Sequence, residues 1–316
     1  MGKITRSLVI TSLFPKTLVS WDDLEGTVRF LEDSNFDVGQ GCFQQGCFQQ
    51  GCFQQLEFFH PPGRDKDIKR LFQSANFSSI LIAVPSLKGS NLSLCSLDEK
   101  ERSLAVDIVK NCLERAAEIG SHSVMINSGS IYSDMPKRAE PARGEILSSC
   151  DAYYNSIEEI AEFRDKRGYP VALLLEPGDS RVHYFQLLGP TELVAETCTK
   201  INIPLYALTM DVAHIRENFE DVMASLKQTL PWCSHIHLCN CVMDDPLDPF
   251  YGDKHVDFDH PGACWAYDDF GKMFGEIKSL YTERDFTISL EINCRAEDNK
   301  AWFKDVIAKC PWFFRE

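Results

Sequence analysis

Short apolar runs alternate with longer segments of helical spacing along almost the whole chain. The runs have the length and character of buried strands and cover residues 8–13, 56–59, 79–84, 123–126, 171–175, 206–210, 235–238 and 287–290. Segments whose apolar positions recur every three or four residues predict amphipathic helices over 21–31, 65–73, 97–119, 144–167, 191–200, 219–229, 267–281 and 299–309. This alternation predicts an α/β fold with parallel strands and crossover helices. Eight units in 316 residues favour a single (β/α)8 barrel domain over residues 1–316.

The main alternative is an open, doubly wound parallel sheet. Such a sheet normally carries a glycine-rich phosphate-binding turn after its first strand. Here that position holds Leu13, Phe14 and Pro15, without a glycine. The sequence therefore favours the closed barrel.

One segment departs from the pattern, because residues 41–55 repeat GCFQQ three times in tandem. A period of five residues matches neither strand nor helix spacing. We interpret the segment as a duplicated insertion next to the second strand. The alternative is an adhesive contact between subunits through Phe43, Phe48 and Phe53.

Four polar residues lie at or near the C-terminal ends of the last four predicted strands: Glu176, Asp211, His237 and Glu291. A polar side chain that ends a buried strand is costly unless another group pairs with it. In a barrel, the C-terminal ends of the strands converge on one mouth. Three carboxylates and one imidazole predict a site for one divalent ion, which suits Mn²⁺, Mg²⁺ or Co²⁺ and, less specifically, Zn²⁺.

Further polar residues cluster in the same part of the chain. Five of the eight histidines fall between residues 211 and 260. Asp211 and His214 form a D-x-x-H pair, and Asp253 and His255 form a D-x-H pair in the long loop after the seventh strand. This concentration favours a functional site at the C-terminal ends of the strands.

Several segments resemble those of the xylose isomerase-like TIM barrels, a superfamily of sugar isomerases and epimerases that is related in fold to the family 2 apurinic endonucleases. They are LEPGD at 175–179, LLGPT at 187–191, MDVAH at 210–214, HIHLCN at 235–240, YGDKH at 251–255 and SLEIN at 289–293. The resemblance extends from Ser7 to Lys309 and is more specific for the superfamily than for a substrate.

The resemblance implies roles for individual residues. It assigns one metal ion to the four strand-end residues named above and makes His214 a substrate-contacting residue. The spacing of the family's motifs identifies His237, and not His235, as the metal ligand. We expect the alternation of side chains along a strand to place these two histidines on opposite faces. In endonuclease-like members, a pair such as Asp253 and His255 binds an extra metal; here we assign the pair to substrate binding.

The chain departs from the endonuclease-like members. Their trinuclear site needs further histidines from strands two to four, and only His60 and His122 are candidates. A net charge of −15 also repels a phosphate backbone. We therefore expect one metal ion and no nucleic-acid partner.

The expected site suggests a reaction. A divalent ion bound to a sugar carbonyl makes the adjacent C–H acidic, and Glu176 and Glu291 can flank the substrate and transfer the proton through an enediolate. Return of the proton gives epimerisation or aldose–ketose isomerisation. The alternative is a keto-sugar lyase, such as an inosose dehydratase or a C-glycoside-cleaving enzyme, in which the same enolate expels a leaving group.

The expected substrate is a small, unphosphorylated sugar, polyol or glycoside. Phosphate sites of barrels use glycines and helix N-termini after strands seven and eight, whereas residues 241–249 and 294–300 are acid-rich. The candidate catalytic residues are Glu176, Glu291 and His214, and the candidate substrate contacts are Asp253, His255, Arg181 and Asn240. Mn²⁺ is the favoured cofactor.

The composition fits a soluble globular enzyme, with 44% hydrophobic and 25% charged residues. No apolar run approaches the roughly 18 residues that span a bilayer, and the apolar stretch 7–14 has no signal cleavage site after it. We therefore expect a cytoplasmic protein without membrane contact, alone, as a homo-oligomer or in a hetero-complex. A non-catalytic barrel within a complex is the non-enzymatic alternative.

Overall fold

Eight parallel strands form a closed barrel in the order of the chain. The structure is a computed structural model that describes residues 2–33, 52–60, 62–132 and 141–314. The strands are β1 Ile4–Val9, β2 Gln55–Phe58, β3 Ser78–Ile82, β4 Ser123–Ile126, β5 Ala172–Leu175, β6 Tyr206–Asp211, β7 Cys233–Leu238 and β8 Phe286–Leu290. The predicted (β/α)8 barrel is confirmed, and the open sheet is excluded.

Helices connect successive strands. Those in the described ranges are α1 Ile10–Leu13, α2 Trp21–Asp33, α3 Asp65–Ser74, α4 Val84–Gly89, α5 Glu99–Ile119, α6 Arg143–Arg167, α7 Thr191–Lys200, α8 Val212–Glu217, α9 Val222–Thr229, α10 Tyr267–Leu280 and α11 Asn299–Lys309, with 3-10 helices at Pro15–Leu18 and Pro311–Phe314. Among these helices, none combines the length and the apolar character that crossing a membrane requires.

Two predicted elements differ from the observed ones by three residues or more at one end. The first strand was expected at 8–13 but ends at Val9, because Phe14 N–H donates to Ile10 O at 2.8 Å and closes a helical turn instead. The helix expected at 219–229 begins only at Val222. Phe219 has a φ of 62°, a left-handed conformation that an α-helix does not tolerate.

The chain divides into two compact units, and the first comprises residues 1–79 and 235–316. In this unit β1 pairs with β2 and β8, and β7 pairs with β8, all in parallel. The register places His237 opposite Ser289, and Ser289 opposite Ser7. These polar residues therefore lie at one level of neighbouring strands.

The second unit comprises residues 80–234, in which β3, β4, β5 and β6 pair in sequence. Its strands carry buried apolar residues, and Ile80, Met125 and Leu174 pack together against the partly buried Ala207. The strand ends that follow this core carry Glu176 and Asp211. A single domain over residues 1–316 stays a prediction.

The third GCFQQ copy leads into β2. Phe53 is 4% exposed, and its ring centre lies 5.6 Å from Phe314, 6.1 Å from Phe303 and 6.2 Å from Phe313. Phe53 is therefore a core residue, and the proposal of a subunit contact is wrong for it. The first two copies, with Phe43 and Phe48, lie outside the described residues.

Candidate active site

A buried carboxylate joins the strands of the first unit. Glu57 in β2 has a fully buried side chain. Its Oε1 accepts hydrogen bonds from Ser7 Oγ at 2.8 Å, from His235 Nε2 at 2.9 Å and from the Ser289 hydroxyl, while its Oε2 accepts from His237 Nε2 at 2.9 Å. A carboxylate offers about four acceptor positions, so these donors satisfy it without water. We call these five residues the Glu57 cluster.

The two imidazoles keep this carboxylate ionised. Burial alone would raise the pKa of Glu57, but Coulomb attraction and hydrogen bonds from His235 and His237 outweigh it and hold the pKa well below its ordinary value. The ligand atoms of these three residues also lie within 4.8 Å of one another, which is close enough for metal binding.

The sequence did not lead us to include Glu57 and His235 among the candidate site residues. Both histidines contact Glu57, so the expectation that His235 and His237 lie on opposite faces is wrong. Side chains of a strand alternate with a period of two, and residues two apart therefore share a face. The available signal for Glu57 was a lone acidic residue within the apolar run 56–59.

His237 lies between two carboxylates. While its Nε2 faces Glu57, its Nδ1 lies 2.8 Å from Oε2 of Glu291, the residue after β8. Ser12 Oγ donates to Oε1 of Glu291 at 3.1 Å. Although burial acts to raise it, His255 and His237 hold the pKa of Glu291 below its ordinary value. The structure thus brings two of the four predicted metal ligands into direct contact.

The predicted Asp253 and His255 pair lies beside the same carboxylate. His255 Nε2 is 2.8 Å from Asp253 Oδ1, and His255 Nδ1 is 3.4 Å from Glu291 Oε1. Burial lowers the pKa of His255, but the two carboxylates outweigh this effect and raise it well above its ordinary value. His255 also has a φ of 43°, and such strain in a non-glycine residue is concentrated at functional sites.

The remaining two predicted ligands lie in the second unit. Glu176 directly follows β5, is half-buried, and donates its backbone N–H to Ile126 O at 2.9 Å. Asp211 ends β6 and is the N-cap of α8, where its Oδ1 accepts from the backbone N–H groups of Ala213 at 2.7 Å and His214 at 3.0 Å. Capping and metal binding are compatible, because a carboxylate has a second oxygen.

His214 is fixed by the strand-five loop. Its side chain is 8% exposed, and its Nδ1 lies 3.0 Å from Pro177 O. A ring nitrogen facing a carbonyl oxygen carries a proton, so this contact assigns the Nδ1–H tautomer to the neutral ring. The contact ties the D-x-x-H histidine to the residue that follows Glu176.

A second buried acid orders this same loop. Asp179 is fully buried, and its Oδ1 accepts from the backbone N–H groups of Arg181 at 3.2 Å, Val182 at 2.7 Å and His183 at 2.7 Å. Its Oδ2 accepts from Tyr184 N–H at 2.7 Å. One side chain therefore holds four consecutive amides of the loop after β5.

Two further residues, Arg181 and Asn240, were predicted to contact the substrate. The Arg181 side chain is exposed. The Asn240 amide is fully buried, donates to Trp265 O at 2.6 Å and accepts from Cys241 N–H at 3.1 Å. These bonds give Asn240 a structural task in the loop after β7, and substrate binding by either residue stays a prediction.

A cavity of about 280 Å³ opens in the second unit among residues that follow β3, β4 and β5. Its lining includes Lys88, Asn127, Tyr184 and Gln186. Lys88 Nζ lies 3.5 Å from the centre of the Tyr184 ring. A polar and aromatic cavity of this size suits a small ligand.

A family model described as xylose isomerase-like TIM barrel matches residues 44–313. A comparison with curated proteins gave no significant match. Similar solved structures include the 3-keto-D-glucoside 4-epimerase YcjR from E. coli, with 14% identity over 98% of each chain and a TM-score of 0.65.

Two further structures have the same fold. The probable 3-DHS dehydratase AsbF from Bacillus anthracis is 17% identical over 97% of each chain, with a TM-score of 0.61. The IOLI protein with a zinc atom is 14% identical over 98% of this chain and 95% of that one, with a TM-score of 0.63. At these identities, the comparisons establish a shared fold and leave the reaction open.

Proposed function

Because the chain belongs to the xylose isomerase-like TIM barrel family, we propose that it is a divalent-metal-dependent sugar isomerase or epimerase. The observation that carries this proposal is the position of His237 between Glu57 and Glu291. If Nε2 carries the proton that is donated to Glu57, then Nδ1 is an acceptor. An acceptor nitrogen 2.8 Å from a carboxylate oxygen is an arrangement that a shared cation stabilises.

The proposed ligands are Glu176, Asp211, His237 and Glu291. They end or follow β5, β6, β7 and β8, and parallel strands of a closed barrel direct their C-terminal ends to one mouth. Three carboxylates and an imidazole favour Mn²⁺, with Mg²⁺, Co²⁺ or Zn²⁺ as alternatives. The zinc atom in the IOLI structure supports a metal in this family.

A bound divalent ion would polarise the substrate carbonyl and acidify the neighbouring C–H. The residues of this chain would then move the proton: one of Glu176 and Glu291 takes it, and the other returns it to the same or the neighbouring carbon. His214 is held by Pro177 O and would contact a substrate hydroxyl. Asp253 and His255 form a buried pair next to Glu291 and would bind the substrate.

The substrate we propose is a small, unphosphorylated sugar or glycoside. The loop after β7 carries three acids and no base over residues 241–249, and these acids repel a phosphate group. The polar and aromatic cavity of the second unit supports binding of a carbohydrate, because aromatic rings pack on the C–H faces of sugars while amides bond to hydroxyls. Arg181 and Asn240 are further proposed contacts.

The second candidate function is a keto-sugar lyase that uses the same residues. Its support is the fold shared with a probable dehydratase. After the proton has been removed, expulsion of a β leaving group needs no additional base. The products of one experiment separate the two reactions.

The test incubates the protein and Mn²⁺ in deuterated water with D-fructose, D-tagatose or a 3-keto-D-glucoside. Deuterium at the carbon next to the carbonyl, with the substrate skeleton intact, supports an isomerase or epimerase. Loss of water or of the aglycone supports the lyase. Glu291→Gln should abolish the exchange, while the exposed Glu283→Gln serves as the matched control and should retain it.

Metal binding is tested separately by titrating the metal-free protein with Mn²⁺ in a calorimeter. One site per chain is expected for the wild type, and its loss is expected for Asp211→Asn. A wild-type protein that binds no Mn²⁺, Mg²⁺, Co²⁺ or Zn²⁺ would overturn the proposed function.

A further inference from the structure

Glu57 contacts the proposed metal ligand His237, and the proposed reaction gives Glu57 itself no role. Its carboxylate is fully buried and touches His237 on the side opposite to Glu291. An ionised carboxylate can only accept hydrogen bonds. Every group that contacts it must therefore present a proton.

This requirement determines where the imidazole protons lie. His235 and His237 both face Glu57 through Nε2, each at 2.9 Å. Each ring must therefore carry a proton on Nε2, which leaves Nδ1 as the acceptor nitrogen of a neutral ring. For His237, that nitrogen faces Glu291.

The cluster itself is better described as a hydrogen-bonded support than as a second metal site. Ser7 and Ser289 donate hydroxyl protons to Oε1, which together with the two rings occupies the acceptor positions of the carboxylate. A cation bound to Glu57 would have to displace these donors, and their positive partial charges would repel it.

We propose that Glu57 is a positioning residue that fixes His237 in the Nε2–H tautomer and thereby directs Nδ1 to the metal. This inference rests on the proposed function for the identity of the ligand, but the tautomer can be measured without any metal. In metal sites, a partner on the second ring nitrogen typically changes affinity 10- to 100-fold. We expect an effect of this size from Glu57.

The substitution Glu57→Gln provides a sharp test because it retains the shape. The Oε1 side of Glu57 receives three donors and the Oε2 side receives one, from His237. The glutamine oxygen is therefore expected on the three-donor side, and its amide group would face His237. A donating amide requires an acceptor, so the proton of His237 should move to Nδ1.

The measurement is the ¹⁵N spectrum of histidine side chains in the metal-free protein, with His237 assigned by the signal that is missing in His237→Gln. At a pH high enough for the His237 ring to be neutral, the wild type should show a protonated Nε2 and an unprotonated Nδ1, and Glu57→Gln should show the reverse. Purely structural support by Glu57 would not exchange the two nitrogens. An Nδ1–H tautomer in the wild type overturns the inference even if the variant fails to fold.

Calorimetric titration with Mn²⁺ forms the second arm. Glu57→Gln should weaken Mn²⁺ binding about 10- to 100-fold, whereas Ser7→Ala, which removes a donor to the same carboxylate without contacting His237, should change it by less than about threefold. If the wild type binds Mn²⁺ and Glu57→Gln binds it equally well, the inference fails and the proposed function stands. If the wild type binds no metal but shows the expected tautomer exchange, the proposed function fails and the action of Glu57 on His237 stands.

Discussion

The loop after β5 should lose its order when one buried acid is neutralised. In Asp179→Asn, the side chain keeps its size but has one acceptor oxygen and one amide donor. The oxygen can replace Oδ1, which accepts from Arg181, Val182 and His183. The amide group then faces the N–H of Tyr184, which now bonds to Oδ2 at 2.7 Å, so that two donors oppose each other.

The cost can be worked from this geometry. The variant loses one hydrogen bond to a charged acceptor, worth about 1.5–3 kcal/mol, and leaves a buried donor unsatisfied, at about 1–3 kcal/mol. The remaining three bonds lose their charged acceptor and weaken as well. We therefore expect the free energy of unfolding to fall by about 3–5 kcal/mol, measured by urea denaturation followed by circular dichroism.

A matched control is available in Asp98→Asn. Asp98 is the N-cap of α5 and accepts from the N–H groups of Lys100 and Glu101. Asparagine caps helices as well as aspartate does, so this variant should stay within about 0.5 kcal/mol of the wild type. Equal unfolding midpoints for the two variants would refute the reasoning about Asp179.

Three further outcomes are expected. Phe53→Ala should lower the free energy of unfolding by about 3–5 kcal/mol because it leaves a cavity among buried aromatic rings; Val19→Ala, at a position that is 79% exposed, should change it by less than about 0.5 kcal/mol in the same urea titration. Burial raises the pKa of the Cys95 and Cys198 thiols to about 12, so the unfolded chain loses these protons first and stability should fall as the pH rises from about 9 to 12. In the double variant Cys95→Ala/Cys198→Ala, the free energy of unfolding should decrease less steeply with pH. An unchanged slope would contradict the conclusion that these two thiols cause the decrease. Finally, Mn²⁺ at 100 times its dissociation constant should stabilise the wild type by about 2.7 kcal/mol in thermal unfolding, and a chelator should remove the effect. A melting temperature that changes with neither Mn²⁺ nor the chelator would contradict metal binding.

The periodicity of the chain predicted the barrel well because most strands contain a short buried apolar run and amphipathic helices lie between them. The errors have local causes. Residues 10–13 continue the run that begins at Leu8, but the pairing of β1 ends at Val9 and the chain turns into α1 there. The positive φ of Phe219, which shortens the predicted sixth helix at its N-terminal end, has no signature in the identity of that residue.

The sequence correctly placed polar residues at the ends of strands, as at Asp211 and Glu291, and their role as metal ligands stays a prediction. Glu57 was not predicted because its hydrogen-bond partners lie far away in sequence, at Ser289 and on β7. A single strand reveals that an acid is buried, but it does not reveal which groups neutralise it. His235 was missed for the same reason, because its partner is Glu57.

The tandem repeat has a consequence for how this chain can vary in length. Sliding β2 back by one five-residue unit would again present a phenylalanine to the aromatic cluster that surrounds Phe53. The same shift would, however, replace Leu56 by Gly51 and Glu57 by Cys52. Leu56 and Glu57 anchor the final copy because they follow it immediately, so we expect alleles with fewer or more upstream copies to build the same strand.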